Sequence, residues 1–258
     1  MSKRLKLIVA YDGASFAGWQ SQRHGNTIQD YLELAFARVT GERVRVHGAG
    51  RTDAGVHALA QCAHVDLNST RPTVERWPAA LNASLPLTIR VLRCSLVSEK
   101  FHARYSAKSK IYRYRIWVGP VLPPHELNRA WHVPRPIDFD PFRVAARKFI
   151  GRHNFAGFAA SRGKSPSRRD SFRSQSETNT IRIIRSVRVR RKGPLIEIDF
   201  EAGGFLYKMV RLMVGAMVDV ALGKNEPKEI LKRLRSPHHA SARFAAPAAG
   251  LFLVRVRY

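Results

Sequence analysis

Hydrophobic and polar residues alternate from residue 4 to residue 11, with Leu5, Leu7, Val9 and Tyr11 on one side and Arg4 and Lys6 on the other. A period of two is that of a half-buried strand. Between residues 28 and 39 the period becomes helical: Ile28, Tyr31, Leu32, Ala35 and Val39 recur three or four apart, with Thr27 placed to cap the start and Gly41 to stop the end. Strand-like runs at 43–47 and 60–67 flank a loop over residues 50–58. A short helix at about 73–83, interrupted by Pro78, then leads to a strand at 88–97. The order is β-α-β-β-α-β.

The second half repeats that order without repeating its residues. A strand at 110–118 alternates Tyr112, Tyr114 and Ile116 against Ile111, Arg113, Arg115 and Trp117, and Asp140-Pro141 opens a helix running through Phe142, Ala145 and Phe149 to Gly151. A hairpin follows at 180–191 and 195–201, turning on Lys192-Gly193-Pro194. Arg188 and Arg190 on its first strand and Glu197 and Asp199 on its second are expected to face one another. A long helix at 205–222, a short one after Asn225 and a strand at 250–256 complete the chain. The expected fold is α+β: two tandem ferredoxin-like (βαββαβ) units whose antiparallel sheets join, with a cleft between them, divided as residues 1–104 and 105–258.

Charge changes this picture from a fold to a partner. The 258 residues include 45 Lys+Arg against 19 Asp+Glu, a formal net charge of +26, and the sequence pI is near 11.3. Self-repulsion of that size is relieved by a polyanion, and nucleic acid is the expected one. There is no apolar run of about 18 residues and no signal-peptide pattern, so no membrane partner and a cytoplasmic location are expected. Cys62 and Cys94 fit neither a disulfide framework nor a zinc spacing. His47, His57 and His64 lack a second cluster of ligands, and no phosphate-binding or dinucleotide fingerprint occurs, so neither metal nor cofactor is expected.

Within so basic a chain, one loop concentrates candidate chemistry: Gly50-Arg51-Thr52-Asp53-Ala54-Gly55-Val56-His57-Ala58. Its glycines allow a tight turn and close ligand approach, presenting Arg51 and Asp53. In the helix at 205–222, Lys208, Arg211, Gly215 and Asp219 share a face opposite the apolar stripe. A glycine inside a helix costs roughly 0.5–1 kcal/mol relative to alanine, so Gly215 indicates that something packs closely beside Arg211. Residues 161–177 set Arg162, Lys164, Arg168, Arg169 and Arg173 among serines, a composition that buries no core and suits contact with a phosphate backbone.

These residues resemble the tRNA pseudouridine synthase A family along most of the chain. The resemblance is carried by Tyr11-Asp12-Gly13 with Phe16 and Gly18-Trp19-Gln20, by the loop at 50–58, and by Phe101-His102-Ala103-Arg104-Tyr105-Ser106-Ala107 with Lys110 and Tyr112-Arg113-Tyr114. Phe205, Met209-Val210-Arg211 and Gly215 resemble a helix bearing an active-site arginine, and Gly250-Leu251 with Leu253-Val254 a closing strand. Asn154 stands where the family pattern has Asp, and the basic segment is longer than usual.

The resemblance implies cofactor-free isomerisation of uridine to pseudouridine in the anticodon stem-loop of tRNA, at positions 38–40, by a homodimer. It implies Asp53 as the catalytic carboxylate, attacking either ribose or base, Arg211 as the cation that holds its charge, and Tyr112 as a ring stacked on the target uracil. Arg51 would fill the space of a flipped base or grip its phosphate, and Phe101, His102, Ala103, Arg104, Tyr105, Arg162, Lys164, Arg168 and Arg169 would contact RNA. Two other classes share the charge. A non-catalytic tandem RNA-recognition protein lacks an RNP1-like string here, and a structural ribonucleoprotein component gives no reason for an Arg-Thr-Asp loop.

Overall fold

Leu5, Leu7 and Val9 are fully buried along β1 (Lys3–Tyr11), as the alternation of that segment requires. A computed structural model describes residues 3–68, 72–160, 179–235 and 244–258 of the chain. It is a mixed α+β structure whose strands are mostly antiparallel, and it divides into two units: Met1–Arg113 with Ala248–Tyr258, and Tyr114–Pro247.

In the first unit, α1 (Ile28–Thr40) starts where Thr27 accepts the amide of Asp30 and ends at Gly41, whose φ of 76° lets its amide reach Ala37 O. Strand β3 (His57–Leu67) pairs antiparallel with β1, and so does β4 (Ile89–Val97) on the other side. The expected strand at 43–47 shrinks to β2 (His47–Gly48), because the Glu33 carboxylate on α1 takes the Val46 amide at 3.0 Å and draws that backbone away from a ladder. Helix α2 (Trp77–Asn82) is not interrupted by Pro78: the proline sits in its first turn, where no amide hydrogen is needed. The strand order is β4-β1-β3-β10-β5, with β2 on β3, where β5 is Ser109–Val118 and β10 is Leu251–Arg257. The β3–β10 pair runs parallel, Phe252 opposite His57, so the expectation of purely antiparallel sheets is corrected here.

The second unit receives Tyr114–Val118 of β5, beside which β6 (Trp131–Val133) lies parallel. Helix α3 (Phe139–Arg147) is capped by the Asp138 carboxylate and precedes β7 (Gly151–Asn154). The hairpin of β8 (Ile181–Lys192) and β9 (Leu195–Ala202) has the expected register, Arg188 opposite Asp199 and Arg190 opposite Glu197, and the order of this unit is β5-β9-β8-β7. Arg190 reaches diagonally to Asp199 at 2.7 Å. Helix α4 starts four residues later than expected, at Met209–Ala221, because Lys208 adopts a left-handed φ of 57°, leaving Phe205 off the helix. Helix α5 (Pro227–Arg235) follows. Phe142, Phe149, Phe155, Phe158 and Phe200 are completely buried and form the aromatic part of this core. The short strands β6 and β7 have too few residues to show a period in the sequence.

Candidate active site

The Asp53 loop is shaped by glycines on both sides of the contact. Val56 N donates to Asp53 O at 3.1 Å across a four-residue turn, with Gly55 at its third position and a φ of 77° that suits glycine. The β1–α1 connection lies directly against this turn. A Cβ at Gly13 would come within 2.0 Å of Val56 O, and one at Gly18 within 2.6 Å of Thr52 O, so both glycines are required by the approach. Trp19 N donates to Thr52 O at 3.0 Å, Tyr11 and Thr52 share a hydroxyl hydrogen bond of 2.8 Å, and Gln61 Nε2 donates to Gly50 O at 2.8 Å. His57 is buried and stacked on Phe252 with ring centroids 4.5 Å apart. Its Nδ1 accepts from Gly13 N at 3.1 Å and lies 3.2 Å from Asp12 Oδ1. The loop is therefore fixed by its backbone, leaving the half-buried Asp53 side chain and the exposed Arg51 to present chemistry. Arg51 Nε donates to Gln20 Oε1 at 3.1 Å.

Tyr112 stands on β5 beside this loop, almost fully buried at 8% exposure. Burial, then the neighbouring Tyr11 phenol, then the negative charge of Asp53 push its hydroxyl above the ordinary tyrosine range. The structure thus brings Asp53 and Tyr112 into electrostatic contact within one unit, and leaves Tyr112 protonated at neutral pH. Lys110, two residues earlier on the same strand, donates from Nζ to Ala49 O at 2.7 Å. Burial, reinforced by the charge of Arg104, brings its ammonium down to about 8.

The segment from Phe101 to Tyr105 wraps around His64. The imidazole Nδ1 accepts from Ala103 N at 3.2 Å, and burial with neighbouring positive groups lowers its pKa to about 4. Ala103 is itself fully buried beside Ala49 and Cys62, whereas Arg104 and Tyr105 are exposed, the latter at 76%. Half-buried His102 packs against the Tyr105 ring with centroids 4.3 Å apart, and His47 stacks on His64 at 5.0 Å. Among the described residues no group of three His, Cys, Asp or Glu could hold a metal ion. Cys62 and Cys94 are free and buried.

In the second unit, Arg211 lies on α4 under the segment that carries Phe244 to Pro247. Its Nε donates to Ala246 O at 2.6 Å, and its carbonyl accepts Ala246 N at 3.0 Å. The close neighbour anticipated at Gly215 is Phe244: a Cβ there would sit 2.3 Å from its carbonyl oxygen. Tyr114 donates to Pro247 O at 2.7 Å and so holds the same segment. Asn154 Oδ1 accepts from Ala156 N at 3.0 Å and from the Thr180 hydroxyl at 2.7 Å, two bonds that an aspartate would also accept. Arg162, Lys164, Arg168, Arg169 and Arg173 lie outside the described residues.

Gly13, Gly18, His57 and Lys110 stand within the segments that carry the family resemblance but were given no role in the site, and Gln61 was not singled out. The roles of Gly13 and Gly18 depend on contacts between segments far apart in the chain, which spacing does not show.

Among the described residues no helix is long and apolar enough to cross a membrane. The family model described as tRNA pseudouridine synthase matches residues 7–106 and 145–258. A tRNA pseudouridine synthase A of Akkermansia muciniphila is 44% identical over 257 residues, covering 99% of this chain and 95% of that protein. One of Thermoanaerobacter sp. is 39% identical over 256 residues, covering 99% and 100%. A solved structure titled "Crystal Structure of a Cbf5-Nop10-Gar1 Complex" aligns with 96% of this chain and 48% of that one, at 12% identity and a TM-score of 0.36, too low a likeness to bear on the fold. The matches to the family model and to both full-length relatives run through the Asp53 loop and through Arg211. The chain belongs to the tRNA pseudouridine synthase family, isomerases that convert uridine to pseudouridine in tRNA.

Proposed function

We propose that this enzyme acts on uridines of the anticodon stem-loop, with Asp53 as nucleophile and Tyr112 against the target base. The observation that carries the reading is Asp53 on a backbone-fixed turn beside a buried, protonated tyrosine. The isomerisation breaks the N1–C1′ bond, forms a C5–C1′ bond, removes the proton at C5 and returns one to N1, so nothing is added or lost. A carboxylate covers the covalent step, at ribose C1′ or at uracil C6. The ring of Tyr112 offers a stacking face worth about 1–3 kcal/mol per base, and its hydroxyl is a donor at neutral pH. Arg211 is carried over from the family resemblance as the active-site cation, and Arg51 takes the place of the flipped base or its phosphate. The exposed Arg104 and Tyr105, with Phe101, His102, Arg162, Lys164, Arg168 and Arg169, form the RNA-contacting set, while Ala103, fully buried, anchors their segment rather than touching RNA.

The same reading takes the architecture to be two tandem ferredoxin-like units. Its support is that β4, β1, β3 and β2 stand in the order of the first βαββαβ run, and that β10 neighbours β5, β5 neighbours β9 and β9 neighbours β8 in the second. A cytoplasmic homodimer completes it, and sedimentation equilibrium near the 29.1 kDa monomer mass would exclude that dimer. The substrate assignment is tested by mapping pseudouridine in whole tRNA transcripts after reaction. Modification confined to the anticodon stem-loop is expected; modification elsewhere overturns the assignment.

A further inference from the structure

We propose that Lys110 is a positioning residue that sets the spacing between the Asp53 loop and the strand bearing Tyr112. The inference rests on reading Asp53 and Tyr112 as the reacting pair. Lys110 and Tyr112 are two apart on β5, so their side chains leave the same face of the strand, roughly 7 Å apart along it. Tyr112 feels the charge of Asp53. Lys110 instead reaches the residue just before the loop, its Nζ 2.7 Å from Ala49 O across 61 positions of sequence. Its side chain lies along Gly50: a Cβ there would be 3.1 Å from Nζ, 3.8 Å from Cε and 4.0 Å from Cδ. Gly50 therefore makes room for the lysine, while its own carbonyl is held by Gln61 at 2.8 Å.

A largely desolvated ammonium is an expensive way to fill space. The charge of Arg104 that acts on it is also positive, and burial has already lowered its affinity for the proton. An apolar side chain of the same length would avoid that cost, but it could not bond Ala49 O. What the lysine adds is a fixed distance between two segments that each carry one half of the chemistry. One hydrogen bond serves both, since displacing Ala49 moves the first residues of the loop while the strand stays in its ladder.

The test compares Lys110→Met, which keeps the stem and removes the donor, with Lys110→Arg, which restores a donor. Single-turnover rates at saturating enzyme, tRNA affinity and its salt slope, and melting temperature are measured, with Asp53→Asn as the reference. Lys110→Met is expected to lose about ten- to a hundredfold in rate, the scale of an ångström-sized misplacement, with affinity and salt slope unchanged, and Lys110→Arg to recover most of the rate. A wild-type rate in Lys110→Met overturns the proposal. So does a loss confined to affinity with a flatter salt slope, which would make Lys110 a phosphate contact. Should the Met variant not fold, Lys110→Gln, which keeps a donor without the charge, is judged in its place: a near-normal rate is expected, and a loss as large as that of Asp53→Asn overturns the proposal. Turnover in Asp53→Asn would instead remove the reading of Asp53 and leave the spacing result to stand by itself.

Discussion

Asp53 and Arg211 are held in opposite ways. Asp53 sits in a loop with no regular ladder of its own, and its backbone is fixed piece by piece from β1, the β1–α1 connection and β3. Arg211 sits on a helix that needs no such help, and there the irregular partner is the 244–247 segment laid across it. In both places a glycine marks the approach, Gly13 against Val56 and Gly215 against Phe244. The difference teaches where precision comes from. A loop borrows it from many weak contacts across the chain, whereas a helix has it already and uses it to place an irregular neighbour.

That contrast can be broken in descending order of effect. Arg211→Met removes both the charge and the bond to Ala246 O, and about a thousandfold loss of turnover is expected, the upper range for losing one preorganised electrostatic group. Single-turnover kinetics check it, and a loss under tenfold would take Arg211 out of the reaction. Tyr112→Phe keeps the ring and removes the hydroxyl. About a hundredfold loss of rate with unchanged tRNA affinity is expected if that hydroxyl moves a proton; equal rates would leave Tyr112 with stacking alone.

Gly13→Ala and Gly215→Ala should each destabilise by about 1–3 kcal/mol, because the new methyl meets a backbone carbonyl that cannot swing away. Chemical denaturation reads both. The two should differ in kind: Gly13→Ala is expected to disturb the Asp53 loop, and Gly215→Ala the segment on Arg211.

The smallest effect is a pH dependence at His64. Its folded pKa of about 4 is below the roughly 6.5 of an unfolded histidine, so the unfolded chain binds the proton more readily. Its stabilising contribution is complete above about pH 6.5 and is lost as pH falls towards 4. Melting temperatures between pH 7 and 4 should therefore fall less steeply in His64→Gln than in the parent protein, and parallel curves would contradict the assignment.

Much of this architecture was legible in local pattern. Thr27, Gly41 and the alternation of β1 fixed their elements because capping and burial act within a few residues. Arg188 and Arg190 found Asp199 and Glu197 because a hairpin turn sets its own register. The failures share one cause, competition from distant groups. Glu33 captured the backbone expected to extend β2, and β10 joined β3 in parallel, Leu253 opposite Ala58 from the far end of the chain. Within the site, the loop and its carboxylate were visible as a motif, and Gly215 as an anomaly in a helix. The roles of Lys110, Gln61 and His57 were not, because a hydrogen bond across dozens of residues leaves no spacing to read.

The central claim is that one carboxylate carries the covalent step. Asp53→Asn is nearly isosteric and leaves the backbone bonds of the turn in place, so tRNA should still bind. The direct measurement is release of tritium from the C5 position of labelled uridine in tRNA, alongside a binding titration of the same protein. No release above background with affinity within a few fold of the parent is the expected result; release near the parent rate would contradict the account.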